Sequence, residues 1–254
     1  MRGFVAFTKK EFIEQLRSYK ILIMLCVSFL LGMTSPLLAK LTPEIMSEIG
    51  MNGIVLKLPD PVVADAYAQF FKNFTSMGII AVLLVFGGSL SNELTRGTLV
   101  NIHAKGLPRR TVILSKYAAA IILWTLSYLL SAVTNYGYSV YLFKNHSVQN
   151  LFLSFFCFWV FVCFAIALIL LSSTITSGSF GGLILSAGIL ILLLMINIIP
   201  KIKEYNPVAL ASVNVNLITG EMGFDDVIKA LVITIVLAIA SMIAAVKLYD
   251  KKKL

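Results

Sequence analysis

LFLSFFCFWVFVCFAIALILLS, residues 151–172, contains no charged residue. As a helix it extends roughly 33 Å at ~1.5 Å per residue, enough to cross a hydrocarbon core of ~30 Å. Working outward from it, comparable apolar runs occupy residues 21–39, 74–91, 112–136, 180–199 and 227–246. The pattern predicts an all-α membrane protein with six transmembrane helices in a single transmembrane domain, 1–254. With 59% hydrophobic and 13% charged residues, spans and their connections take up almost the whole chain.

Charge then orients the spans. The formal net charge is +9. If the N-terminus is cytoplasmic, Lys and Arg in the N-terminal stretch, the 91–115 connection and the C-terminal tail outnumber those on the opposite side. Of the twelve acidic residues, only Glu11, Glu14, Glu93 and Asp250 share that side. The positive-inside rule therefore predicts both termini in the cytoplasm of a multi-pass cytoplasmic (inner) membrane protein. Attraction to anionic inner-leaflet lipid, about 1 kcal/mol per basic residue near the surface, accounts for the excess. A nucleic-acid binder would carry these charges on a soluble face, and no soluble domain is present.

The three cysteines, Cys26, Cys157 and Cys163, fall within predicted spans, and two of them sit on one helix six residues apart. They read as packing residues, not as a disulfide framework. The N-terminal stretch does not read as a cleaved signal, because Glu11 and Glu14 interrupt its basic region and no small-x-small site follows Pro36. Residues 1–20 are expected to form an amphipathic interfacial elbow helix. Phe4, Val5, Phe12, Leu16 and Tyr19 share its apolar side, Lys10, Glu14 and Arg17 the polar one, and Phe7 and Ile13 break the pattern.

Among the outside connections, 40–73 should contain short helices. The connection 144–150 is short. The third, 200–226, carries the Asn206-Pro207 turn signal and an apolar stretch, Val208 to Val213, able to dip back where protein covers its backbone. Inside, 172–179 is uncharged, and the Gly178/Gly182 spacing predicts close helix packing. The other inside connection reads SNELTRGTLVNIHAKGLPRRTVILS over 91–115. A helix over 98–104 should stop at Gly106, with Pro108 opening the next segment.

Several chemistries are missing from the sequence. There is no GxxxxGK[ST] phosphate loop, so the chain cannot hydrolyse ATP alone. HExxH is absent too, and His103 and His146 fall on opposite sides of the membrane. No ionisable residue lies mid-span, as ion-coupled transport would require. Asn135 and Asn197 read as interhelical hydrogen-bonding groups. The Phe and Tyr residues are expected mostly at lipid-facing or interfacial positions.

The stretch E93-L-T-R-G97-T98-L, followed by A104-K-G-L-P108-R109-R-T-V-I-L-S-K116, resembles the first cytoplasmic loop of ABC-2 type transporter permeases. In that family a Glu near the end of span two precedes Gly-Thr, then a Pro/Ser-Arg turn and a Lys opening span three. The resemblance implies a permease subunit, not itself an enzyme, that pairs with a second permease copy or a paralogue. It also implies two separate ATP-binding cassette ATPase subunits, which bind ATP and Mg. Glu93, Arg96, Gly97, Thr98, Lys105, Arg109 and Arg110 would form an ATPase-coupling loop with a cytoplasmic coupling helix. No cofactor is expected in this chain. Relatives of this six-span form look like exporters of peptides, bacteriocins, drugs or ions, or like partners in membrane-enzyme maturation. A secondary transporter and a non-transporting membrane scaffold are the alternative classes.

Overall fold

The computed structural model describes residues 2–49, 60–104, 106–143, 148–176, 178 and 180–252. Every regular element among them is helical. In chain order these are α1 (Arg2–Arg17), α2 (Lys20–Ile49), α3 (Val63–Asn73), α4 (Ile79–Gly87), α5 (Ser91–Thr95), α6 (Thr98–Ala104), α7 (Arg109–Leu142) and α8 (Leu151–Ile175). They continue as α9 (Gly181–Ile196), α10 (Pro200–Lys203), α11 (Ala209–Ser212), α12 (Asn214–Thr219) and α13 (Phe224–Lys251). Five stretches are long and apolar enough to cross a membrane: Lys20–Ile45, Val63–Thr95, Arg109–Leu142, Leu151–Ile175 and Phe224–Lys251. α9 is a shorter apolar helix, Gly181–Ile196. At about 24 Å it is the shortest of the candidate crossings, so five to six helices are available to span the membrane.

The spans are longer than the apolar runs that mark them. The first continues to Ile49 through Pro36 and Pro43, and α3 feeds the second through a π-helical turn, Phe74–Gly78. Much of the expected 40–73 connection is therefore helix extension. Its residues 50–59 lie outside those described.

Where α2 crosses α7, local chemistry sets the contact. Pro36 lacks an N–H, so the Gly32 carbonyl one turn earlier loses its helical donor. Asn135 Nδ2 of α7 donates to that carbonyl at 3.4 Å. A Cβ on Gly32 would come within 2.6 Å of the Ser131 carbonyl oxygen, a backbone atom that cannot swing away. Gly32→Val should force the two helices apart and lower stability by about 1–3 kcal/mol. Thermal unfolding in detergent would measure it, and an unchanged midpoint would refute the crossing. A second close approach involves Gly182 of α9, whose Cβ would meet Ser173 of α8 and Ser91 of α5. Its expected partner in the motif, Gly178, has nothing within 4 Å of such a Cβ.

The core of the bundle is aromatic. Tyr67, Phe70, Phe71 and Phe74 interlock with Trp124 and Tyr128 of α7 and with Phe155, Phe158 and Phe161 of α8. Ring centroids lie 4.6 Å apart for Phe70–Phe74 and 4.9 Å for the stacked Trp124–Tyr128 pair. The expectation that these rings face lipid fails here, because α3 folds inward against α7 and α8. Offset and edge contacts add attraction that rings facing lipid would lack. The 208–213 stretch also folds inward: Val208, Ala209, Leu210, Ala211 and Val213 are buried. α11 packs on α8 and α13, so protein covers this non-spanning backbone.

Candidate coupling site

At one end of the bundle α1 lies against the start of α7, with Ser115 Oγ donating to the Phe4 carbonyl at 3.4 Å. The chain's other end closes on the same region. Lys252 Nζ donates to the Thr174 and Thr176 carbonyls at 3.0 and 2.8 Å. Both described chain ends thus sit at one end of the molecule, beside α5 and α6.

The face that α1 turns to the protein is not its apolar one. Phe7, Glu11 and Gln15 are buried, whereas Phe4, Val5, Leu16 and Tyr19 are exposed. Glu11 enters a closed ring of charges. Lys10 Nζ lies 3.1 Å from Glu11 Oε1 and 2.9 Å from Glu93 Oε1, and Lys116 Nζ lies 2.8 Å from the second oxygen of each carboxylate. Glu14 adds a third carboxylate 2.6 Å from Lys10. The oxygens of Glu11, Glu14 and Glu93 come within 4.8 Å of one another, a crowding that the two ammonium groups offset for Glu11 and Glu93 while Glu14 stays exposed to water.

Two cations and two anions cancel, which is what makes the burial tolerable. Lys116 is 3% exposed, Glu11 4% and Glu93 8%. Burial works against the charge on Lys10, but hydrogen bonds to Glu14 and Glu93 and the Glu11 charge outweigh it, so its pKa is raised. A raised folded-state value means that this contribution is complete at neutral pH. It is lost only as the solution becomes strongly alkaline.

The ring fastens the base of a turn. Gly97 takes the left-handed conformation at φ 66° as α5 ends, and its N–H donates to the Leu94 carbonyl at 3.2 Å. Thr98 Oγ1 donates to the Glu93 carbonyl at 3.3 Å. α6 then runs to Ala104, Gly106 reverses the chain at φ 84°, and Pro108 caps α7. α6 is seated through Leu99, buried among Phe7, Leu90, Val112, Ile113 and Tyr249. His103 Nδ1 donates to the Leu107 carbonyl at 3.0 Å, since a carbonyl only accepts, and Nε2 is hydrogen-bonded with Tyr249 Oη at 2.8 Å. α6 is thereby tied to α1, α7 and α13.

Residues 5–254 match the sequence family described as ABC-2 family transporter protein. The chain belongs to the ABC-2 transporter family. It is also similar to the uncharacterized transmembrane protein YxlG of Bacillus subtilis (strain 168), 24% identical over 177 residues, which make up 69% of either chain. An ABC-2 membrane chain is the permease component of an ABC transporter, not its ATPase, and such permeases work with an ABC ATPase subunit.

Within this ABC-2 permease the candidate loop residues divide by environment. Arg96, Gly97 and Thr98 are exposed. Lys105 lies outside the described residues. Glu93, assigned by the resemblance to the coupling loop, is buried inside the ring. Arg109 donates from Nη1 to the Tyr249, Asp250 and Lys252 carbonyls at 3.0, 3.0 and 2.6 Å, which satisfies the open C-terminal end of α13. Arg110 is exposed, one residue further on.

The residues missing from the candidate set are Lys10, Glu11 and Lys116. Lys116 carried a signal, as the one cation about 10 Å inside the long helix α7, where a charge calls for a partner. Glu11 had a weaker one, being acidic in an otherwise basic stretch.

Proposed function

We propose that this ABC-2 permease is the membrane subunit of an exporter seated in the cytoplasmic membrane, with both termini inside, and that α6 is the coupling helix. Two copies of a separate ATPase would bind ATP and Mg, and a second permease, identical or paralogous, would complete the pathway. The observation that carries this reading is the two-sidedness of α6. Its inner side is fixed by Leu99, His103 and the charge ring, while Val100 is 45% exposed and Ala104, one turn on, is exposed beside Arg96 and Thr98. A short helix held on one side and bare on the other suits a groove on a partner.

The ring gives such docking a mechanical consequence. A push on α6 reaches α1 and α7 together, because Glu93 is joined through Lys10 to α1 and through Lys116 to α7. Rigid elements of this kind convert a local displacement into a tilt of packed spans. The exposed apolar stripe of α1, Phe4, Val5 and Leu16, with Tyr19 in the turn just past it, suits a helix lying in the membrane interface. Among the described residues α9 packs chiefly on α8 and α4 and exposes Ile184, Ile191, Leu192 and Met195, a face that suits a second permease. At the opposite end of the bundle a cavity of about 780 Å³ lined by Asp65, Gln69, Lys72 and Ser76 suits an outward chamber.

The test is co-expression with candidate ATP-binding cassette ATPases from the same organism. The purified complex should hydrolyse ATP and the isolated chain should not. Robust hydrolysis by the isolated chain would overturn the assignment, as would failure of any such ATPase to co-purify.

A further inference from the structure

A groove of about 660 Å³ runs between α7, α8 and α13 on the outer surface of the bundle. Its walls are apolar: Leu114, Phe156, Trp159, Val160, Ile239 and Ile243 are among them. The polar edges of its rings are turned away or satisfied. Trp159 Nε1 donates to Thr125 Oγ1 at 3.0 Å, and Tyr117 Oη donates to the Cys163 carbonyl at 3.3 Å. One end differs in kind. There Arg110 and Lys247, both exposed, face the groove together, and the ion pairs among the described residues engage neither.

We infer that this groove is a binding site for an anionic phospholipid, its phosphate held by Arg110 and Lys247 and an acyl chain laid along α13. Length supports the match. From Lys247 to Ile235 the wall extends about 18 Å along the helix, close to the ~15 Å depth of one leaflet. Charge decides the occupant. A spanning helix from a second copy would be apolar where Arg110 and Lys247 stand and would leave both cations without a counterion. A phosphate-bearing headgroup neutralises them at the depth where the headgroup layer begins. Under the topology proposed above, this is the inner leaflet. The site shares Arg110 with the expected coupling loop but lies off α6 and the charge ring, so it stands whether or not an ATPase docks on α6.

The chain's two tryptophans supply the test. Trp124 is 1% exposed in the aromatic core, whereas Trp159 lines the groove. The protein is reconstituted in phosphatidylcholine vesicles containing a minor fraction of brominated phosphatidylglycerol or, in parallel, brominated phosphatidylcholine. Brominated phosphatidylglycerol should quench Trp159 as though enriched roughly tenfold over the bulk. Trp159→Phe should remove the difference between the two lipids. Arg110→Gln with Lys247→Gln, at two exposed positions, should abolish the excess while leaving quenching by brominated phosphatidylcholine in place. Equal quenching by the two lipids overturns the site, and so does an excess that survives the double substitution. A Trp159 that neither lipid quenches means that protein covers the groove, which also overturns it.

Discussion

Lys116→Met is expected to lower the stability of this permease by about 3–5 kcal/mol, although methionine suits the apolar walls around it. The loss arises from what remains. Glu11 and Glu93 would each keep one oxygen paired to Lys10 and one without a cation, at sites almost closed to water. Buried ion pairs contribute little net stability compared with apolar packing, but removing a single partner strands the other's charge. Lys116→Met combined with Glu93→Gln should therefore recover more than half of the loss, since it removes one charge of each sign. Thermal unfolding of the three proteins in the same detergent decides the matter. A single variant as stable as the parent would show that the ring is not intact in the folded protein. The same logic makes Glu93→Lys a folding variant, because three ammonium groups would then crowd around the single carboxylate of Glu11 and the nearby Glu14.

Val100→Asp with Ala104→Asp should instead leave the permease folded and weaken its association with the ATPase on the order of 100-fold, as loss of a central anchor does at an interface. The two positions lie one turn apart on the exposed ridge of α6, so their substitution disturbs no buried contact, and surface changes of this kind stay within about 0.5 kcal/mol. Two carboxylates buried in a partner's groove without counterions would oppose docking strongly. Pull-down of the ATPase, together with the unfolding midpoint of the permease alone, separates docking from folding. Normal complex formation by a folded double variant would remove α6 from the interface.

Much of the bundle was legible because lipid imposes a simple rule: a span is a long run without charge. The 151–172 run lies within α8, four others lie within α2, the Val63–Thr95 stretch, α7 and α13, and the 180–199 run falls on the shorter α9. The ends were less legible. Helix continues past the apolar run wherever protein rather than lipid covers it, as in α3, whose Tyr67, Phe70 and Phe71 pack inward although Asp65 and Lys72 flank them. In α1 the periodicity revealed an apolar stripe but not its direction. The stripe faces outward, and Phe7, which broke the pattern, marks the side that packs on the protein.

The residues quoted from the 91–115 connection pointed to the family and to the turn before α6, because Gly97 and Gly106 stand where the backbone needs positive φ. The sequence by itself therefore determined the all-α membrane class, the positions of the long spans, the family and the site of a short helix between two glycine turns. These are local properties, set by hydrocarbon thickness and backbone sterics. Only the tertiary structure decided the partners of Glu93. They lie 83 residues back at Lys10 and beyond the turn at Lys116, and Glu11 closes the ring across 105 residues. No periodicity records such distances, because an isolated charge near a membrane boundary looks the same whether it meets water or a buried countercharge. Which one it meets depends on how α1, α5 and α7 pack, and that packing makes Glu93 a clamp and leaves Val100 and Ala104 on the open face.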